Sequence, residues 1–214
     1  MNDNGLTEIW IKLSAGTSPE VTGITDICCL TEEGGRPVQE VGAVQRAIFS
    51  RRSTRSYKPD MLPKELIDRI MDAGTYAATG MNHQSPVILA ITNKEVRDRL
   101  SAMNARIMDR PDEDPFYGAP VVLAVLADKD MPTCVYDGTL VIGNMMLAAH
   151  ELGIASCWVH RAKEEFESEE GREILKSAGI EGNYEGIGHL VLGYADGEPQ
   201  DAAPRKSGYT YYLE

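Results

Sequence analysis

Residues 133–152 limit what this chain can fold into more than any other stretch, because they read as one long helix without a polar face. Between Val135 and His150 the only charged residue is Asp137, and apolar, small and amide residues circle the whole axis. A helix that is apolar all round has to be buried all round. A chain of 214 residues forms one domain of ordinary size, and such a domain rarely encloses a long helix by itself. The reading is therefore that a second subunit covers the side this chain leaves open. A central helix in a monomer is the competing arrangement. Gly153 stands where such a helix ends.

Around that helix lie four apolar runs. Residues 87–92 and 119–127 are continuous enough to be buried strands, and 154–159 and 186–194 supply two more. Val41, Val44 and Ile48 sit at helical spacing. Pro63 suits the first turn of a second helix with Leu66, Ile67, Ile70 and Met71 on its buried face. Residues 94–108 and 164–178 read as further helices, the latter stopped by Gly179. The tail from 198 has no helical period. Its end, Tyr209-Thr210-Tyr211-Tyr212-Leu213, alternates like an edge strand suited to pairing with a partner subunit. Residues 1–38, dominated by Gly, Thr, Ser, Glu and Pro, read as a weakly structured or disordered N-terminal extension, with 9–11 and 24–30 as short strand candidates. The main domain is then 39–214.

Composition narrows the function classes. A net charge of -12 disfavours nucleic acid and anionic membranes as partners. Cys28, Cys29, Cys134 and Cys157 show no CxxC spacing, so neither a zinc site nor a disulfide framework is indicated, and a reducing cytoplasm is the simplest compartment. No signal peptide is visible and no run is long and apolar enough to span a bilayer. His83, His150, His160 and His189 are scattered without metal-ligand spacing. His150 and His189 read as structural, and no metal is expected. Asp112-Glu113-Asp114 reads as a solvated loop.

Against this acidic background, Arg51-Arg52-Ser53-Thr54-Arg55-Ser56-Tyr57-Lys58 concentrates four cations; without them the -12 chain would stand at -16. Arginine presents a planar fork of donors that fits phosphate oxygens in pairs, and the three short hydroxyls add to it. The reading is a pocket for one phosphorylated ligand. A solvated basic helix end is the other account, since cations are favoured near a helix C-terminus.

These pieces together resemble the FMN-dependent nitroreductase family. The resemblance rests on Arg51-Arg52-Ser53-Thr54-Arg55, on Ala78-Thr79-Gly80-Met81-Asn82-His83-Gln84-Ser85-Pro86, and on the 137–153 stretch. Ser156-Cys157-Trp158-Val159, Gly186-Ile187-Gly188-His189 and Pro204-Arg205-Lys206 complete it. It covers about four-fifths of the chain, in order, and leaves out residues 1–38. The resemblance implies an α+β fold, with a mixed, mostly antiparallel sheet flanked by helices, in a domain-swapped homodimer with two flavins at the interface. Carried over, Arg51, Arg52, Ser53 and Arg55 hold the FMN phosphate and ribityl chain, with Arg205 and then Lys206 reaching the same phosphate from the tail. Asn82 and Gln84 bring amides to the ring, and Cys157, Trp158 and Val159 lie along it with backbone N–H groups near N5. Val87 stands where the family commonly has an aromatic.

The implied activity is NAD(P)H-dependent reduction of a small electron-poor acceptor, a nitroaromatic or quinone, by ping-pong hydride transfer through flavin N5. The flavin carries the chemistry and no catalytic side chain is named. Two alternatives stand beside it: a flavoprotein of the same fold with different chemistry, dehalogenation or flavin breakdown, and a non-enzymatic flavin-binding module.

Overall fold

The structure, a computed structural model, describes residues 41–213. The expectations for residues 1–38 lie outside those residues. The described residues divide between Phe49 and Ser50 into two units. The first contributes most of helix α1, Ala43–Ser50, where the spacing of Val44 and Ile48 placed one.

The second unit is a sheet with helices on both faces. In chain order come α2 (Lys64–Thr75), β1 (Val87–Ile91), α3 (Lys94–Ile107), β2 (Val121–Asp128), α4 (Cys134–Glu151) and β3 (Ala155–Val159). Helices α5 (Ala162–Glu167) and α6 (Glu169–Ser177) and strand β4 (Tyr184–Gly193) follow. The strands lie in the order β1-β2-β4-β3, and every neighbouring pair is antiparallel.

The two-residue period of a strand explains why β2 looked uniformly apolar. Val122, Ala124 and Leu126 face a core with Phe116, Phe166 and Leu100, while Val121, Leu123, Val125 and Ala127 face another with Ile70, Ile142 and Met145. With both faces covered, alternation has nothing to alternate between. Fully buried side chains such as Ile142 and Met145 each stabilise the fold by roughly 1.5–3 kcal/mol. Helix α4 approaches β4 closely, since a Cβ on Gly138 would meet Ile187 Cγ1 at 2.5 Å.

Among the described residues, helix α4 is covered on only part of its surface. Asp137, Gly138, Val141, Ile142, Met145 and Ala149 are buried, whereas Val135, Tyr136 and Leu140 are 46%, 72% and 50% exposed.

Several expectations need correcting. The helix expected over 164–178 is two helices: Ser168 is extended (φ -72, ψ 162) and its Oγ accepts from Gly171 N–H at 3.0 Å, restarting the helix as an N-cap. Strand β1 is half-buried because it closes one end of the sheet. Pro63 occupies the N-cap of α2 rather than its first turn. Residues 209–213 form no strand. They are exposed, Gly208 turns the chain at φ +66, and Lys206 stacks over Tyr209 at 5.4 Å. Asp114 is not simply solvated. It accepts from Arg97 Nη2 and Ser101 Oγ at 2.5 Å each, and from Phe116 N–H at 3.0 Å and Gly118 N–H at 2.8 Å. Burial alone would raise the Asp114 pKa, but these bonds hold it below the ordinary carboxylate value. Among the described residues no helix is long and apolar enough to cross a membrane.

Candidate functional site

Beyond Ser50 the basic segment is extended and stitched to the sheet at two points. Ser53 bridges in parallel to Ser156, with Thr54 N–H donating to the Ser156 carbonyl at 3.0 Å. Tyr57 bridges antiparallel to Ala195, flanked by Lys58 N–H to Tyr194 O at 2.9 Å and Asp196 N–H to Ser56 O at 3.0 Å. The Ser53 bridge is an isolated parallel one, beside a sheet whose four strands all pair antiparallel. Tyr57 anchors the strip: it is buried, its hydroxyl donates to the Thr54 carbonyl at 2.8 Å, and burial pushes its phenol well above the usual value. A side chain on Gly193 would collide with it, since a Cβ there lies 2.9 Å from the Tyr57 ring.

Residues 52–56 and 195–200 enclose a cleft of about 200 Å³. That is less than the ~300–1,000 Å³ of most pockets that take a whole cofactor. Within the cleft the carboxylates of Asp196 and Glu198 offset Arg52 and Arg55. Arg51 does not line this cleft, and its charge is felt at His150 and Cys157. Burial first, and the Arg52 charge second, pull the Arg51 guanidinium below its usual pKa, with Cys157 acting the other way. Arg51 Nη1 is buried without a hydrogen-bond partner. Leaving a buried donor unsatisfied costs about 1–3 kcal/mol, and among the described residues nothing meets that cost for this nitrogen.

The loop after α2 is held in an unusual shape. Met81, Asn82 and Gln84 all have left-handed φ, at 50°, 59° and 51°. For such side chains this costs about 1–3 kcal/mol each and clusters at functional sites. Asp137, the only charged residue between Val135 and His150, is the clamp: it accepts from Gly80 N–H at 3.0 Å and from Thr133 Oγ1 at 2.9 Å. Thr79 Oγ1 accepts from Gln84 N–H at 3.0 Å, and Gln84 Nε2 donates to Asn82 Oδ1 at 3.2 Å. The two amides expected to matter are therefore together and exposed. Ser85 Oγ, beside them, is a further buried group without a partner. Sequence reasoning noted Asp137 only as a polar exception; a carboxylate in the first turn of an apolar helix was the available signal.

On β3, Cys157 and Val159 point into the core that holds Phe116 and Phe166, leaving their backbone as what they can offer a ligand. Trp158 lies on the other face, 37% exposed. Its indole fits because residue 188 is glycine: a Cβ there would sit 2.3 Å from Trp158 Nε1. Burial pushes the Cys157 thiol up, while Arg55, the Ser53 hydroxyl and Arg51 act in the opposite sense. Arg205 and Lys206 are not brought to the cleft in this chain. They lie in the exposed tail, where Arg205 donates to the Ala203 carbonyl through Nε at 3.2 Å and Nη2 at 2.6 Å.

His150 ties the start of the basic segment to the end of α4, with Nε2 2.7 Å from Ser50 Oγ. Burial, then Arg51, then Arg52 lower its pKa from 6.5. The unfolded chain thus binds a proton that the folded chain refuses, and stability falls as pH drops below about 6.5. His150→Gln is expected to flatten that acid limb in thermal melts between pH 6.5 and 5. An unchanged limb would assign it to other groups.

Comparison with known proteins gives one consistent result. The family model described as "Nitroreductase: Nitroreductase family" matches residues 48–194. A curated relative from Methanothermobacter thermautotrophicus, named "Putative NADH dehydrogenase/NAD(P)H nitroreductase", is 30% identical over 124 residues, or 54% of this chain. The match spans 59% of that relative's length. A nitroreductase with bound FMN from Bacteroides fragilis superposes with a TM-score of 0.74 at 28% identity, over 81% of this chain and 100% of that one. Another with bound FMN, from Desulfitobacterium hafniense, gives 0.72 at 27%, again over 81% and 100%. The family match runs through the arginine segment, the left-handed loop and all four strands, and the chain belongs to the nitroreductase family.

Proposed function

We propose that this chain binds FMN and, as a homodimer, reduces a small electron-poor acceptor such as a nitroaromatic or quinone with NADH or NADPH. The observation that carries the reading is Arg51 Nη1, a buried guanidinium nitrogen with no partner beside further cations. It fits a phosphate, whose oxygens accept paired, charge-assisted bonds. Arg51, Arg52, Ser53 and Arg55 are assigned to the phosphate and ribityl chain, and Asn82 and Gln84 to the ring edge. The backbone of Cys157, Trp158 and Val159 is assigned to the ring itself. Arg205 and Lys206 are assigned to the phosphate through a tail that crosses to the partner. When bound, FMN supplies hydride acceptance and donation at N5. The chain's part is to hold the phosphate, set the ring against β3 and surround the reduced ring with donors and positive charge. Bound FMN in two family members at 27% and 28% identity supports the cofactor; the relative's name supports the nicotinamide donor.

The spectrum of the purified protein tests this. Flavin absorbance near its usual visible bands, bleached by NADH or NADPH and restored by an acceptor, is expected. Protein that takes up no FMN would refute it.

The dimer is supported by the exposed stripe Tyr136, Leu140 and Val135 on α4, next to the exposed amides of the left-handed loop. Sedimentation at micromolar protein should return twice the 23.5 kDa chain mass; a monomer mass would refute it.

A further inference from the structure

The exit from β3 is held by buried polar groups that the reading above does not use. Asn104 on α3, Glu165 on α5 and His189 on β4 are all 0% exposed. Asn104 Nδ2 donates both hydrogens, to the His160 carbonyl at 2.7 Å and to Glu165 Oε1 at 2.5 Å. Glu165 Oε2 lies 2.5 Å from His189 Nε2. Arg161 Nη1 donates to Asn104 Oδ1 at 3.4 Å. The rings of Phe116 and Phe166 pack against the His189 imidazole at 5.2 and 5.8 Å.

Stability alone does not call for such a chain, because well-packed apolar residues often serve as well in a core. What it fixes is one peptide. The His160–Arg161 bond is trans, so its C=O and N–H point in opposite directions. With the His160 carbonyl drawn into the core by Asn104, the Arg161 N–H is turned away from it. Among the described residues that N–H meets no acceptor. Arg161 itself is left-handed (φ 81, ψ 8), a conformation that costs a non-glycine residue about 1–3 kcal/mol and persists only when its surroundings over-determine it.

We propose that Asn104, backed by Glu165 and His189, is a positioning residue that aims the Arg161 N–H at the edge of the flavin ring and so sets how readily the ring accepts a hydride. This rests on the reading that FMN lies along β3. A fixed donor at the ring edge stabilises the electron-rich reduced ring more than the oxidised one.

Two measurements test it. In the full-length wild type, FMN should slow exchange of the Arg161 amide hydrogen at least tenfold, read by NMR on apo and FMN-loaded protein. In FMN-loaded Asn104→Leu, the two-electron equilibrium should move about tenfold toward oxidised flavin, or ~30 mV lower in potential, with Arg161 no longer protected. Glu165→Gln, which keeps an acceptor for Asn104, should retain the wild-type potential. FMN binding without protection of Arg161 overturns the inference and leaves the FMN reading standing. So does a folded, loaded Asn104→Leu at the wild-type potential. No FMN uptake by the wild type overturns both. If Asn104→Leu does not fold, the wild-type exchange decides.

Discussion

Gly186→Ala should lower stability by about 3 kcal/mol, at the upper end of what overpacking costs. A Cβ on residue 186 would lie 2.2 Å from the Ala162 carbonyl oxygen and 2.4 Å from its carbon. Both are backbone atoms, so no side chain can swing aside and α5 has to move bodily off β4. The damage should not stop at stability. Helix α5 begins directly after the His160–Arg161 turn and carries Glu165, so FMN affinity should fall as well. Urea unfolding and a fluorescence titration would read the two effects. Gly153→Ala is the control: its φ is +71 but nothing lies within 4 Å of a Cβ there, so only the left-handed strain, about 1–2 kcal/mol, applies. If both substitutions cost the same, close approach is not what residue 186 is for.

Arg51→Ala should move apo stability and cofactor affinity in opposite directions. Losing a charge-assisted bond to phosphate costs about 1.5–3 kcal/mol, which weakens FMN binding roughly 10- to 150-fold. The stripped protein should be no less stable. Substitution removes a half-buried guanidinium whose Nη1 has no partner and whose charge is crowded by Arg52. Sites built for ligands commonly carry such costs in their empty state. Titration with FMN and melting of FMN-free protein separate the two effects. Unchanged affinity would remove Arg51 from the phosphate grip, and an apo protein destabilised by several kcal/mol would make it a structural arginine instead.

What the sequence disclosed was whatever depends on local pattern. The strands announced themselves as apolar runs because both faces of the sheet are covered, and α4 was visible from its missing polar face. The basic segment stood out against an acidic chain. The helix break at Ser168 was missed because a serine at that point is equally an exposed helix residue or a cap; only the chain's turn toward buried Glu165 decides. The Asp137 clamp and the Asn104–Glu165–His189 chain were missed for a different reason. Their partners lie far away in sequence: Asp137 meets Gly80 at a separation of 57 residues and Asn104 meets Glu165 at 61. No window of local sequence contains both ends of such a bond. Arg205 and Lys206 were expected at the phosphate, and the chain carries them on an exposed tail away from the cleft.

The stitching of the basic segment onto β3 has one more consequence. Strand β3 ends the sheet, and among the described residues its outer side pairs with the Ser53–Thr54 strip. Bare sheet ends invite neighbouring molecules to add on, and proteins deter this with charge. Arg52 and Arg55, which flank that strip, put charge of this kind at that end of the sheet.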